Sequence, residues 1–193
     1  MFESENVILI PNERRWWMRL PPLPADQWDE TVNTALKGML PRWRRNPEHA
    51  GTFLATLVRH PALTQAYLGF NVYILFNSTL PARLRELMIL RIATLTNCEY
   101  EANHHAELGK EAGLTEDEIS AALAGKGLND FDSVALRSVD ELDQQSRISD
   151  ETWAELSDHL DEKQRMDLVF TVGSYRMLAT AINTFDVQLE QER

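Results

Sequence analysis

Five side chains lie close together in the chain and have the types and spacing for proton-transfer or thiol chemistry: Glu86, Cys98, Tyr100, Glu101 and His105. Cys98 is the only cysteine in the 193-residue sequence. His105 follows it by seven positions, which on a continuous helix turns the two side chains to within ~20° of one another. They are then ~10 Å apart along the axis, too far for a direct thiol–imidazole bond. Glu101 lies between them and is the better neighbour of His105, at the i, i+4 spacing. The local relay this spacing suggests is Cys98, Glu101 and His105, closed by Glu86 from another helix. A positioned acid, base or thiol is the raw material of general acid–base or nucleophilic catalysis. The same residues also make an ordinary polar seam, and spacing alone leaves both readings open.

The elements that must carry these residues are helices. All eight prolines lie at or before Pro81, and proline breaks helix interiors, so the second half reads as a long helical tract. Helices are expected at 26–38, 48–59, 62–76, 82–95, 98–112, 116–124, 132–145, 150–159 and 162–183, the last with a possible break at Gly173. Val7–Ile10 could form a short strand. Thr115 with Glu118, and Asp161 with Gln164, have the spacing of capping boxes, and Gly113 is a natural stop for the helix before it.

The 82–95 segment is apolar almost all round, which marks a central helix. Glu86 stands inside it, so it must reach an edge, pair with Arg83 or Arg85, or face a pocket, because an unpartnered buried carboxylate is costly. Whether this helix stops before Cys98 is open. A stop at Thr96 or Asn97 would put Cys98 in the first turn of a new helix and favour its thiolate. One unbroken helix would make it a small buried hydrophobe.

A hydrophobic content of 44% is enough for one core, and the sequence reads as a single domain over 1–193 with an extended arm at 1–25. No run of 18 apolar residues suggests a membrane span, and no disulfide can form within the chain. The expectation is a cytoplasmic protein with a free thiol. The net charge of −11 argues against nucleic-acid binding. That charge is uneven: residues 1–97 carry 11 basic and 8 acidic side chains, and residues 98–193 carry 8 and 22. Arg14, Arg15, Arg42, Arg44 and Arg45 are therefore candidates to meet an acidic neighbour or an anionic ligand. Glu101 and His104 have the Glu-x-x-His spacing of di-iron bundles, but Glu155 and His159 do not repeat it, and no metal or cofactor is expected.

Leu-Pro-Ala-Arg-Leu-Arg-Glu-Leu at 80–87, Asn-Cys-Glu-Tyr-Glu-Ala-Asn-His-His at 97–105 and Ala-Gly-Leu-Thr at 112–115 resemble the carboxymuconolactone decarboxylase family, which includes the alkylhydroperoxidase D-like proteins. The likeness is closest over 80–123 and extends over about 48–190, with a best-matching core at 48–125 and a helical extension at 130–190. It implies an all-α bundle built on a helical hairpin and assembled as a trimer or hexamer, a dimer being the alternative. Peroxidase members resemble Glu, twelve residues, Cys-x-x-Cys, then His four residues on. Glu86, Cys98 and His105 match that pattern, while Glu101 replaces the second cysteine, so no resolving thiol exists.

The resemblance supports Glu86, Cys98, Glu101 and His105 as catalytic candidates; Tyr100 and His104, off that face of the helix, are the candidates for binding substrate. The first functional reading is acid–base chemistry, decarboxylation or proton transfer, on a small carboxylated or lactone-like compound held by an arginine. In it His105 moves the proton, Glu101 orients the imidazole and Glu86 is a second acid or base. The alternatives are a single-cysteine thiol peroxidase using Cys98 and a non-catalytic helical oligomer.

Overall fold

The computed structural model describes residues 18–127 and 129–190. The strand considered at 7–10 and the candidates Arg14 and Arg15 lie outside them. The described residues form helices and turns with no strand. The helices are α1 (Glu30–Leu36), α2 (Thr52–Leu57), α3 (Pro61–Val72), α4 (Ala82–Leu95), α5 (Glu99–Glu111), α6 (Glu116–Leu123), α7 (Asp130–Gln145), α8 (Asp150–Ser157) and α9 (Glu162–Phe185).

Helix α4 is the axis of the bundle, packed against α5, α6, α7 and α9. Its apolar circumference explains this: Leu84, Leu87, Met88, Ile89, Leu90, Ile92 and Ala93 are all buried. The main core joins Met88, Ile89 and Ile92 to Val139 of α7 and to Leu168, Val172 and Ile182 of α9. On another side of the same helix, Leu87 and Leu90 meet Ile119 of α6 and Leu136 of α7.

The two capping boxes form as their sequences specify, at Thr115–Glu118 and Asp161–Gln164. Differences from the sequence expectation have local causes. Helix α1 starts only after Asp29, whose Oδ1 accepts the Val32 N–H at 3.0 Å. Helix α3 widens into a π-helical turn at Tyr73–Asn77. There the Tyr73 hydroxyl donates to Asp167 Oδ1 at 2.8 Å, while Thr79 N–H donates to Oδ2 at 2.6 Å. Gly173 does not break α9, which stays helical to Phe185.

Arg83 does not pair with Glu86. It forms a two-pronged bond to buried Asp132, both distances 2.9 Å, and reaches Glu118 at 2.6 Å, tying α4 to α6 and α7. Removing one partner of a buried ion pair strands the other charge, at a cost of about 3–5 kcal/mol. Arg83→Met is expected to lie near the low end, about 3 kcal/mol, because Asn129 still donates to Asp132. Urea unfolding at neutral pH checks this, and a loss under about 1 kcal/mol would contradict the bridging role.

Candidate active site

The hairpin between α4 and α5 is set by a tight helix stop. Asn97 takes a left-handed conformation at φ 52°. The Cys98 N–H then bonds back to Ala93 O at 2.8 Å and the Asn97 N–H to Thr94 O at 3.0 Å. This pair of bonds closes a Schellman motif, here with asparagine in place of glycine. Cys98 becomes the residue preceding α5, and Glu101 and His105 fall on the buried face of the new helix. Gly109, further along α5, keeps the two helices close: a Cβ there would lie 3.8 Å from Glu86 Cβ and 3.0 Å from Leu114 Cδ1.

Three of the singled-out side chains meet directly. His105 Nδ1 lies 2.6 Å from Glu86 Oε2, and His105 Nε2 lies 3.3 Å from Glu101 Oε2. The other oxygen of Glu86 accepts from Arg85 Nε at 3.0 Å. Glu86, Glu101 and His105 are 1%, 5% and 5% exposed, so this is a dry cluster. Each imidazole nitrogen faces a carboxylate, which accepts but does not donate when ionised, so the arrangement calls for a proton on both nitrogens. Burial opposes that charge, but the bonds to Glu101 and Glu86 outweigh it and raise His105 to a pKa of about 9. Tyr175 of α9 sets its ring edge-on to the imidazole, centroids 4.8 Å apart, and fixes the ring plane.

Cys98 is 1% exposed. Burial pushes its thiol up to a pKa of about 11, against the smaller opposing effect of the backbone N–H groups of Glu101 and Tyr100. The first-turn position therefore does not yield a reactive thiolate. Iodoacetamide at pH 7.5 is expected to leave Cys98 largely unmodified in the folded chain and to alkylate it readily in urea. Fast labelling of the native protein would contradict this.

A cleft of about 910 Å³ opens beside the cluster. Glu86 and Arg85 reach its wall, together with Arg44, Tyr100 and His104, and with apolar Phe53, Leu54, Leu75 and Phe76. Cys98, Glu101 and His105 are not part of that wall. Tyr100 and His104 stack face to face at 4.2 Å between centroids. Both contact Glu190, a residue the sequence reading did not single out. Arg85, Arg44 and His104 are basic groups of the cleft wall, which also carries Glu48, Glu107, Glu111 and Glu190 beside Glu86. Glu155 and His159, weighed above as metal-ligand candidates, do other work: Glu155 pairs with Arg137, and the His159 ring packs on Phe131 at 4.5 Å.

This architecture is an all-α bundle of the alkylhydroperoxidase D-like kind, built on the α4–α5 hairpin. Residues 61–144 match the family model of the carboxymuconolactone decarboxylase family, so the resemblance read from the sequence holds over the segment that carries the hairpin. No curated protein matches the chain significantly. Among solved structures, a peroxidase-related protein from Ralstonia eutropha JMP134 with an AhpD core superposes with a TM-score of 0.68 at 11% identity, over 89% of this chain and 93% of that one. A protein of unknown function from Agrobacterium tumefaciens, proposed to be the antioxidant defence protein AhpD, matches at 0.64 and 18% identity, over 69% and 94%. The debrominase Bmp8 matches at 0.64 and 16% identity, over 89% and 91%. A cysteine-to-alanine variant of that enzyme is described in complex with 2,3,4-tribromopyrrole. At these identities the likenesses establish the fold.

No helix among the described residues is long and apolar enough to cross a membrane.

Proposed function

We propose that the chain is an acid–base enzyme that catalyses decarboxylation or a related proton transfer on a small carboxylated or lactone-like compound. The observation that carries this is Glu86. It is a buried carboxylate at the wall of a cleft, clasped by Arg85 on one oxygen and by the His105 imidazole on the other. From sequence alone His105 is the residue expected to move the proton. We give the contact with substrate to Glu86, because His105 stands behind it. In this reading Glu86 takes the Nδ1 proton of His105 and passes it to the substrate carbon, which keeps the electron pair of the breaking C–COO⁻ bond; CO₂ leaves, and a proton from solvent restores His105. Glu101 holds the imidazole and its charge. Arg85 or Arg44 meets the substrate carboxylate, which suits the planar guanidinium. The apolar part of the wall, Phe53, Leu54, Leu75 and Phe76, suits a small body, and the two arginines suit its anionic group.

The thiol-peroxidase alternative takes its support from the peroxidase-related and debrominase structures that share the fold. Cys98 is set against it by its burial, its raised pKa and the lack of a second cysteine. Assaying CO₂ release over a panel of small carboxylated lactones, in wild type and Cys98→Ser, separates the two readings. Acid–base chemistry predicts CO₂ release that is retained in the serine variant, and the thiol-peroxidase reading predicts no CO₂ release but a peroxide reduction that Cys98→Ser abolishes. Mass spectrometry of ligands carried through native purification narrows the panel.

We also propose a single domain that works as a homo-oligomer. Met166, Phe170 and Met177 recur along α9 and are 53%, 56% and 54% exposed. A stripe of that kind on a soluble helix suits a protein contact. Light scattering is expected to give a multiple of 22.2 kDa, and a monomer at micromolar concentration would contradict it.

A further inference from the structure

The polypeptide after α9 returns to the cleft and places a carboxylate in it. Val187 is buried and its N–H bonds to Ile182 O at 3.0 Å, which anchors the start of this tail. Beyond it, Leu189 is 39% exposed and the Gln188 side chain, among the described residues, bonds to Asp186 O alone. Glu190 then reaches back to the body. Its Oε1 accepts from the Thr52 N–H at 2.6 Å and from the Tyr100 hydroxyl at 2.9 Å, and its Oε2 lies 3.2 Å from His104 Nε2.

The body of the protein holds these three groups in place, while the bond to Glu190 is the largest cause that raises His104 toward its cationic form. The Tyr100 hydroxyl receives the Phe53 N–H at 3.3 Å, which leaves its proton pointing at the carboxylate. His104 Nδ1 faces the Tyr100 carbonyl at 2.9 Å, and a carbonyl only accepts. Nδ1 is therefore the donor there, and Nε2 donates to a carboxylate only when the ring is a cation. Gly51 turns at φ 86° to present the Thr52 N–H, and a Cβ at that position would stand 3.2 Å from Glu190 Oε1. Burial works against the Glu190 charge, yet the bonds from His104 and the Thr52 N–H bring its pKa down to about 2. Tyr100 and Glu190 line the main cleft and also a second cleft of about 840 Å³, so their contact is the partition between the two.

We propose that the Thr52 N–H, the Tyr100 hydroxyl and His104 Nε2 form a carboxylate-binding site in the cleft wall, that Glu190 fills it as a built-in competitor, and that a small organic carboxylate binds there by displacing the tail. This deepens the proposed function and rests on its anionic substrate. The site receives the second anionic group or the product's carboxylate, while Glu86 works at the wall of the same cleft.

Sodium benzoate is the probe, with benzamide as its neutral counterpart. NMR follows the His104 ring and the Thr52 amide in wild type, in Glu190→Gln and in Glu190→Gln combined with Tyr100→Phe. A latch closed about ten times as often as it is open weakens apparent affinity about tenfold. Glu190→Gln is therefore expected to bind benzoate about tenfold more tightly than wild type, and the added Tyr100→Phe change to reverse much of that gain. In wild type, excess benzoate is expected to move the same two signals and to sharpen those of residues 188–190 as the tail is released, a result that needs no variant. Equal response to benzamide, unchanged affinity in Glu190→Gln, or no shift at His104 and Thr52 in any form would overturn the proposal. The readout is binding, so it is distinct from the acid–base assignment. An active enzyme with silent His104 and Thr52 signals would sink the latch alone. A protein that binds benzoate here but releases no CO₂ from any substrate would sink the enzymatic reading alone.

Discussion

Glu86→Gln is expected to lower turnover about 10²–10⁴-fold while the fold survives. That range corresponds to about 3–5 kcal/mol of lost transition-state stabilisation. Glutamine keeps the shape of the side chain but has one acceptor oxygen, so it keeps the bond from Arg85 or from His105 and not both. It cannot carry the proton. The loss should fall on kcat rather than KM, because Arg85 and Arg44, not Glu86, are assigned to the substrate's carboxylate. The assay is CO₂ release by wild type and variant, each checked by circular dichroism. Activity within threefold of wild type would remove Glu86 from the chemistry. The contrast with Cys98→Ser is part of the expectation, since the thiol is sealed away from the cleft wall.

The second large effect is on stability. His105 is raised from 6.5 to about 9 in the folded chain, so the folded state holds its proton more tightly than the unfolded chain does. The sign follows from linkage. The contribution is fully present below pH 6.5, declines as pH rises toward about 9, and is absent above that value. Its size is about 3 kcal/mol at the acid end. Wild type should therefore lose stability between pH 6.5 and 9 relative to His105→Gln, whose own profile lacks this component. His105→Gln should also be less stable than wild type at pH 6 by about 3 kcal/mol or more, because Glu86 and Glu101 are left buried together without a cation between them. Guanidinium unfolding of both proteins at half-unit steps of pH gives the difference curve. A flat difference curve would mean that His105 is neutral in the folded chain.

Much of the frame was legible in the sequence, for reasons that are local. Helix α4 is recognisable because an all-round apolar helix has one natural place, and its limits come from Pro81 and the Thr96–Asn97 stop. The capping boxes at Thr115 and Asp161 are written in four residues each. The association of Glu101 with His105 follows from helical spacing. The break at Asn97 stayed open because neither proline nor glycine marks it, and only the left-handed backbone of an asparagine makes the turn. The choice between Arg83 and Arg85 as the partner of Glu86 also lay out of reach. Both adjoin it on the same helix, and Arg83 is claimed by Asp132, which is 49 positions away. Glu190 had no local signature at all. Its contact with Tyr100 spans 90 positions and depends on where the end of α9 leaves the chain.

The proposed chemistry needs a doubly protonated His105 held between Glu86 and Glu101, and ¹⁵N NMR titration of its ring reads that protonation state. At pH 7 both ring nitrogens are expected to carry protons, with a midpoint at about 9 and a clear fall in Glu101→Gln. A neutral imidazole at pH 7, or a midpoint that does not move when Glu101 loses its charge, would contradict the relay.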